Sequence, residues 1–164
     1  EEDVVDKMSA QITSYAVKLS SLAVSEKEHQ EVTHMLQVLS DIERISDYCE
    51  NISEFAESLI GGKAQFTDDG KEELTEMIEV CTNSYFYALE AYETRSREKA
   101  LLVIEEETKA DALEISMRAS HIKRLTKNQC TTEAGIVYLD ALVCLERISD
   151  HARNIAEEVL EKAE

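Results

Sequence analysis

One phrase, written twice, constrains this chain more than any other feature. Leu145-Glu146-Arg147-Ile148-Ser149-Asp150-His151-Ala152-Arg153-Asn154-Ile155-Ala156-Glu157 is echoed at Ile42-Glu43-Arg44-Ile45-Ser46-Asp47-Tyr48-Cys49-Glu50-Asn51-Ile52-Ser53-Glu54. Both share the skeleton E-R-I-S-D-x-x-x-N-I-x-E. Glu, Asp and Asn recur every four residues, so on a helix they climb one face. Ile148, Ala152, Ile155 and Val159 form an apolar stripe on another face, at ~100° per residue. Each copy therefore encodes a helix with a buried side and an acidic side. A repeat of this length is an internal duplication.

The rest of the chain agrees. It has no proline and four glycines, a composition that reads as helix throughout. Val4, Val5, Met8, Ile12, Tyr15, Ala16 and Leu19 recur at helical spacing, predicting a helix from Asp3 to about Val24. Ser25 caps a second helix with acids in its first turn, which runs some thirty residues to the stop signal Gly61-Gly62. Gly61 to Thr67 is the clearest linker, and Thr67-Asp68-Asp69 caps the next helix. Thr94-Arg95-Ser96-Arg97 weakens the apolar period, so a further helix is expected to start at Glu105-Glu106-Glu107 and run to about Lys127. The last spans about Glu133 to Glu161. The prediction is an all-α chain of about five long helices: residues 1–62 as a partial unit of two helices, residues 63–164 as a complete unit of three or more. Position 1 is Glu and the first unit shows only its last two helices, so the chain is expected to begin inside a repeat.

Charge narrows the partners. Seventeen basic residues against thirty-five acidic ones leave a net charge of -18. Such a surface repels phosphate backbones and anionic lipid and favours cations. The four cysteines show no C-x-x-C pair and read as reduced thiols of a cytosolic protein. Cys49 and Cys144 lie on or beside the apolar stripes, so both are expected to be buried. No apolar run approaches the ~20 residues that cross a bilayer. Glycines stand only at Gly61, Gly62, Gly70 and Gly135 and make no phosphate loop, and no nucleophile–base pair or triad order is visible, so no catalytic residue is assigned.

These motifs resemble the PhoU family of phosphate-signalling proteins, which duplicates a three-helix unit ending in a D-L-E-R-I-G-D-H-A-x-N-I-A-E helix. Leu145 to Glu157 matches nearly position by position, with Ser149 in place of the Gly. The first copy is looser, with Tyr48 and Cys49 where His and Ala are usual. Val103 to Leu113 is similar to the family's V-I-x-x-D-x-x-I-D-x-L segment, while its Q-P-x-A-x-D-L-R turn is absent. The resemblance implies duplicated three-helix units in an elongated antiparallel bundle, the first one truncated. It also implies a regulator of phosphate transport and homeostasis, without catalysis. As a divergent unit lacking its start, the chain is expected to be the cytoplasmic tail of a sodium/phosphate cotransporter, held at the inner membrane face by its own transmembrane domain. A free-standing cytosolic regulator of a membrane phosphate transporter is the alternative; other signalling proteins are further candidate partners, and a homodimer is left open.

The resemblance makes the acid-x-x-x-Asp pairs metal ligands, for iron or zinc. The positions that inherit the role are Glu43 and Asp47, Glu107 and Asp111, Glu146 and Asp150, and Asp6 with Glu2, while Asn51 and Asn154 extend the stripes. By spacing alone such pairs are ordinarily a solvated helix face. An all-oxygen set suits hard cations or ferric iron better than a closed zinc site. His151 reads as a charge partner rather than a ligand, and Arg44 and Arg147 as neutralisers of neighbouring carboxylates. A carboxylate-bridged di-iron enzyme is the rival of another class. It needs Glu-x-x-His on two facing helices, whereas Glu26-Lys27-Glu28-His29 and Glu31-Val32-Thr33-His34 share one.

Overall fold

The computed structural model describes residues 2–22, 25–60, 62 and 65–161. Five helices follow in order: α1 (Glu2–Ser20), α2 (Glu26–Ile60), α3 (Asp68–Thr94), α4 (Arg97–Thr126) and α5 (Thr132–Glu161). α1 ends at Ser20, short of the end expected near Val24; Val24 itself, the Gly61 stop and the Lys63-Ala64 part of the linker lie outside the described residues. Among the described residues there is no strand and no helix apolar enough to cross a membrane.

The caps explain the boundaries. Ser25 and Glu28 form a reciprocal box: the Glu28 amide donates to the Ser25 hydroxyl, and the Glu28 carboxylate accepts from the Ser25 amide at 2.7 Å. Thr67 accepts from the Gly70 amide at 3.1 Å and opens α3. The expected helix start at Glu105 is wrong. Arg95 takes a left-handed conformation (φ 55°) that ends α3, and Ser96 accepts from the Lys99 amide, so α4 begins at Arg97. Two residues suffice for the turn, and Glu105 to Glu107 lie inside the helix.

α3, α4 and α5 pack on one another as a three-helix half-bundle. α2 packs along α5, and α1 packs on α2 alone. The core therefore belongs mainly to the second unit: Met77, Ala88, Val103, Ala110, Leu142, Ala152, Ile155 and Ala156 are fully buried. Burying the larger of these side chains, Met77, Val103, Leu142 and Ile155, stabilises by ~1.5–3 kcal/mol each. In the first unit only Ser9, Ala16, Val38 and Ile45 are buried among the described residues, and of these only Ala16 fully.

The two cysteines of the repeat part company. Cys144 is buried as expected, but Cys49 is exposed. Its stripe is apolar, yet among the described residues the Cys49 stretch of α2 faces an open groove, whereas α3 packs on the matching helix α5.

One polar cluster closes the end of the second unit. The buried Arg124 guanidinium donates to both oxygens of Glu73, at 2.9 and 2.6 Å, and the Tyr138 hydroxyl donates to Glu73 as well. Burial alone would raise the Glu73 carboxyl, but these donors with Ser120 hold it below its ordinary value. His121 stacks on Tyr138, with ring centroids 4.5 Å apart, and its buried Nε2 has no hydrogen-bond partner. Gly135 leaves room for that ring: a Cβ there would stand 2.9 Å from His121 Nε2.

Candidate functional site

The duplicated helices bring their acids together with those of the helix before. Glu107 and Asp111 of α4 meet Asp150 of α5, one oxygen of each lying within 4.8 Å of the others. Glu2 and Asp6 of α1 meet Asp47 of α2 in the same way. The two triads are the same positions of the two units: Glu2 and Asp6 precede Glu107 and Asp111 by 105 residues, and Asp47 precedes Asp150 by 103. Helical spacing places Glu and Asp one turn apart, and the neighbouring helix supplies the third oxygen.

Of the acids expected from sequence, Glu43 and Glu146 fall outside the triads. Glu43 accepts a hydrogen bond from the Ser9 hydroxyl at 3.2 Å. Glu146 lies beside the second triad, and burial, followed by the charge of Asp150, pushes its carboxyl up. Asp111 is raised by burial first and then by Glu107 and Asp150. Glu2 is raised first by a hydrogen bond shared with Asp6, with Glu50 and Asp3 adding to it. Repulsion from neighbouring carboxylates adds to the rise at Glu2, Asp111 and Glu146, and a cation would relieve it. Three convergent oxygens fit a hard ion.

Arginines answer part of the charge. Arg147 pairs with Asp150 at 3.3 Å and Arg44 with Asp47 at 3.7 Å, the expected neutralisation within one turn. Arg153 donates to Glu107 at 2.8 Å, a contact with no signal in the sequence because it joins α5 to α4. Glu107 itself is buried, unlike the solvated face that its spacing implies. His151 pairs with Asp41 at 2.7 Å, and Asn154 donates to the same carboxylate at 3.0 Å, so neither reaches a triad. Both Glu-x-x-His stretches lie on α2, and His34 pairs with Glu158 of α5. The facing arrangement of a carboxylate-bridged di-iron site is not formed by them.

This is a duplicated helical bundle with one carboxylate triad per unit. A family model described as the PhoU domain matches residues 1–56 and 74–159. The chain belongs to the PhoU family. It is 25% identical over 160 residues to the phosphate-specific transport system accessory protein PhoU homolog 1 of Thermotoga maritima, covering 97% of this chain and 68% of that protein. The crystal structure of PhoU from Pseudomonas aeruginosa matches with a TM-score of 0.90 at 22% identity, over 99% of this chain and 77% of that one. The phosphate transport system regulatory protein PhoU from Streptococcus pneumoniae matches at 0.84 and 22%, over 99% and 76%.

Proposed function

We propose that this chain is a non-enzymatic regulator of phosphate transport that acts by contacting protein partners and carries metal at its two triads. Family membership supports the regulatory part. The relatives are described as accessory or regulatory proteins of phosphate transport systems, which favours a separate regulator of a membrane transporter over a cotransporter tail. The observation that carries the metal part is the pair of matching triads, Glu2, Asp6 and Asp47 with Glu107, Asp111 and Asp150. Glu43 and Glu146 stand beside them as outer carboxylates. All-oxygen ligation suits ferric iron or another hard cation, with zinc the weaker fit.

Melting curves with chelator and with iron, zinc, manganese or calcium test the metal part. An ion at a hundredfold over its dissociation constant adds about 2.7 kcal/mol per site, a shift of roughly 5–11 °C for a domain of this size. Asp111→Asn with Asp150→Asn should remove the second site's share, and Asp6→Asn with Asp47→Asn the first's. A wild type that no cation moves more than the quadruple variant would leave both triads as wet surface. Deleting the gene tests the regulatory part: phosphate uptake unchanged in phosphate-replete cells would sink it.

A further inference from the structure

The polar end of the second unit holds one side chain that its surroundings accept only uncharged. His121 is 3% exposed and stacked on Tyr138 of α5, and among the described residues its Nε2 has no hydrogen-bond partner. Gly135 of α5 sits directly against that nitrogen, since a Cβ there would stand 2.9 Å away. The cavity beside the ring, bordered by Thr67, Arg124, Cys130 and Tyr138, holds about 10 Å³, room for a single water. One water can satisfy a nitrogen, but it does not hydrate a charge.

The groups around the ring leave a protonated His121 without an answer. Arg124, on the next turn of α4, is already a cation at this end. α3 supplies one carboxylate, Glu73, whose two oxygens are already taken by Arg124 and Tyr138. The other titratable groups are Tyr138 of α5, whose hydroxyl burial pushes up, and Cys130 of the loop. Burial first, then Arg124, holds the ring below the ordinary histidine value of 6.5, with Glu73 opposing.

The same stretch carries the turn between α4 and α5. Asn128 is left-handed (φ 53°), the Gln129 amide donates to the Arg124 carbonyl at 3.0 Å, and the Ala134 amide donates to the Thr131 hydroxyl at 3.2 Å. A ring that leaves Gly135 and Tyr138 therefore loosens the end of α4, the turn and the first turn of α5 together. The first unit has Ala16, Val32 and Met35 at the positions of His121, Gly135 and Tyr138, so it carries no such group.

We propose that this end of the second unit is an acid-released latch: protonation of His121 drives its ring from between Gly135 and Tyr138, opens the α4–α5 turn and exposes Cys130. The closed form takes only the neutral ring, and the open form takes either. The hold on the closed form is complete above the ordinary value of 6.5 and is lost as pH falls below it. The opening is local, because the fully buried Val103, Ala110, Ala152 and Ile155 lie along the other half of α4 and α5. His121 is about 15 Å of helix axis beyond Asp111, so the latch is independent of the metal reading.

The 164-residue chain in chelator provides the test. Between pH ~7.5 and pH ~5.5 the open fraction should rise up to about tenfold, the limit for a ring that titrates only in the open form. Labelling with a dithiodipyridine, resolved by mass, reads it as the ratio of Cys130 to Cys49, which is exposed elsewhere. That ratio should rise at least about fivefold, and less than about twofold in His121→Gln, which keeps every other group. Corrected amide exchange should quicken by the same factor over residues 127–135 and stay unchanged over 148–156. A flat ratio in the wild type overturns the latch, and so does an equal rise in His121→Gln. An equal quickening over 148–156 shows the whole unit unfolding, which overturns it too. Should the glutamine variant fail to fold, an NMR titration of the wild type decides. His121 charging at its ordinary value, with the amides of the turn unmoved, overturns the latch without any variant.

Discussion

The first and second units are built from one phrase and end in different states. Ile155 is fully buried and Ile52 is half-buried; Ala152 is fully buried and Cys49 is exposed. Among the described residues, α3 lies over the stripe of α5 and none of the helices lies over the Cys49 stretch of α2, so the difference is in what packs on the stripe, not in the stripe. The triads differ in a complementary way. At the position where Arg153 neutralises Glu107, the first unit has Glu50, which adds to the repulsion on Glu2. An amphipathic helix records that it needs a partner; it does not record whether it has one.

The largest effect that would break this contrast is in the core. Ile155→Ala should cost about 3 kcal/mol, within the range for buried large-to-small changes, and Ile52→Ala under about 1 kcal/mol. Urea denaturation of both variants measures it, and equal losses would mean that the two stripes are equally packed. Next is the charge difference. Arg153→Glu gives the second triad the first's charge and leaves the buried Glu107 without its cation, so the metal-free protein should lose about 2 kcal/mol. The same variant should gain more from a bound cation than the wild type does. A smaller response to metal by calorimetry or melting would show that Arg153 does not compete with an ion at Glu107.

A packing swap comes third. His121 and Gly135 correspond, by the same offsets, to Ala16 and Val32 of the first unit. Gly135→Ala should cost about 1–2 kcal/mol through overpacking against His121 and Leu125, despite alanine's better helix propensity. His121→Ala with Gly135→Val, the pair found in the first unit, should be less destabilising than the sum of the two single changes.

The smallest effect is in pH. Glu146 is raised in the folded protein, so it takes up its proton there before it does in the unfolded chain. Its contribution to stability therefore grows as pH falls through the folded value and is complete below the ordinary carboxylate value of 4.5. His121 acts in the opposite sense: burial and Arg124 lower it, so it favours folding above its folded value. Comparison with Glu146→Gln isolates the first group. In chelator, the wild type should gain stability on that variant as pH falls from neutral to ~4.5. A variant that tracks the wild type across that range would place Glu146 in ordinary solvent.

The periodicity located all five helices, because spacings of three and four survive in one dimension. It missed the start of α4, since a two-residue break with one left-handed residue and one serine cap barely interrupts an apolar period. The family resemblance marked the acid-x-x-x-Asp positions, and six of them, Glu2, Asp6, Asp47, Glu107, Asp111 and Asp150, meet across helix pairs. It could not separate these from Glu43 and Glu146, because each triad is completed by a neighbouring helix whose rotation is a tertiary property. Arg153 and Asp41 were silent for the same reason. Cys49 was misplaced because a stripe predicts burial only where something lies on it.

The way α2 lies along α5 has a mechanical meaning. Among the described helices it is the only direct helix–helix packing between the two units, and it is pinned by His34 to Glu158 and by His151 and Asn154 to Asp41. Asp47 and Asp150 ride on those same two helices. A tilt or slide along this seam would move one carboxylate of each triad at once, so the geometry of one triad is tied to that of the other. The molecule would then behave as a two-armed lever with one fulcrum, and the histidine–carboxylate pins set how stiffly it turns.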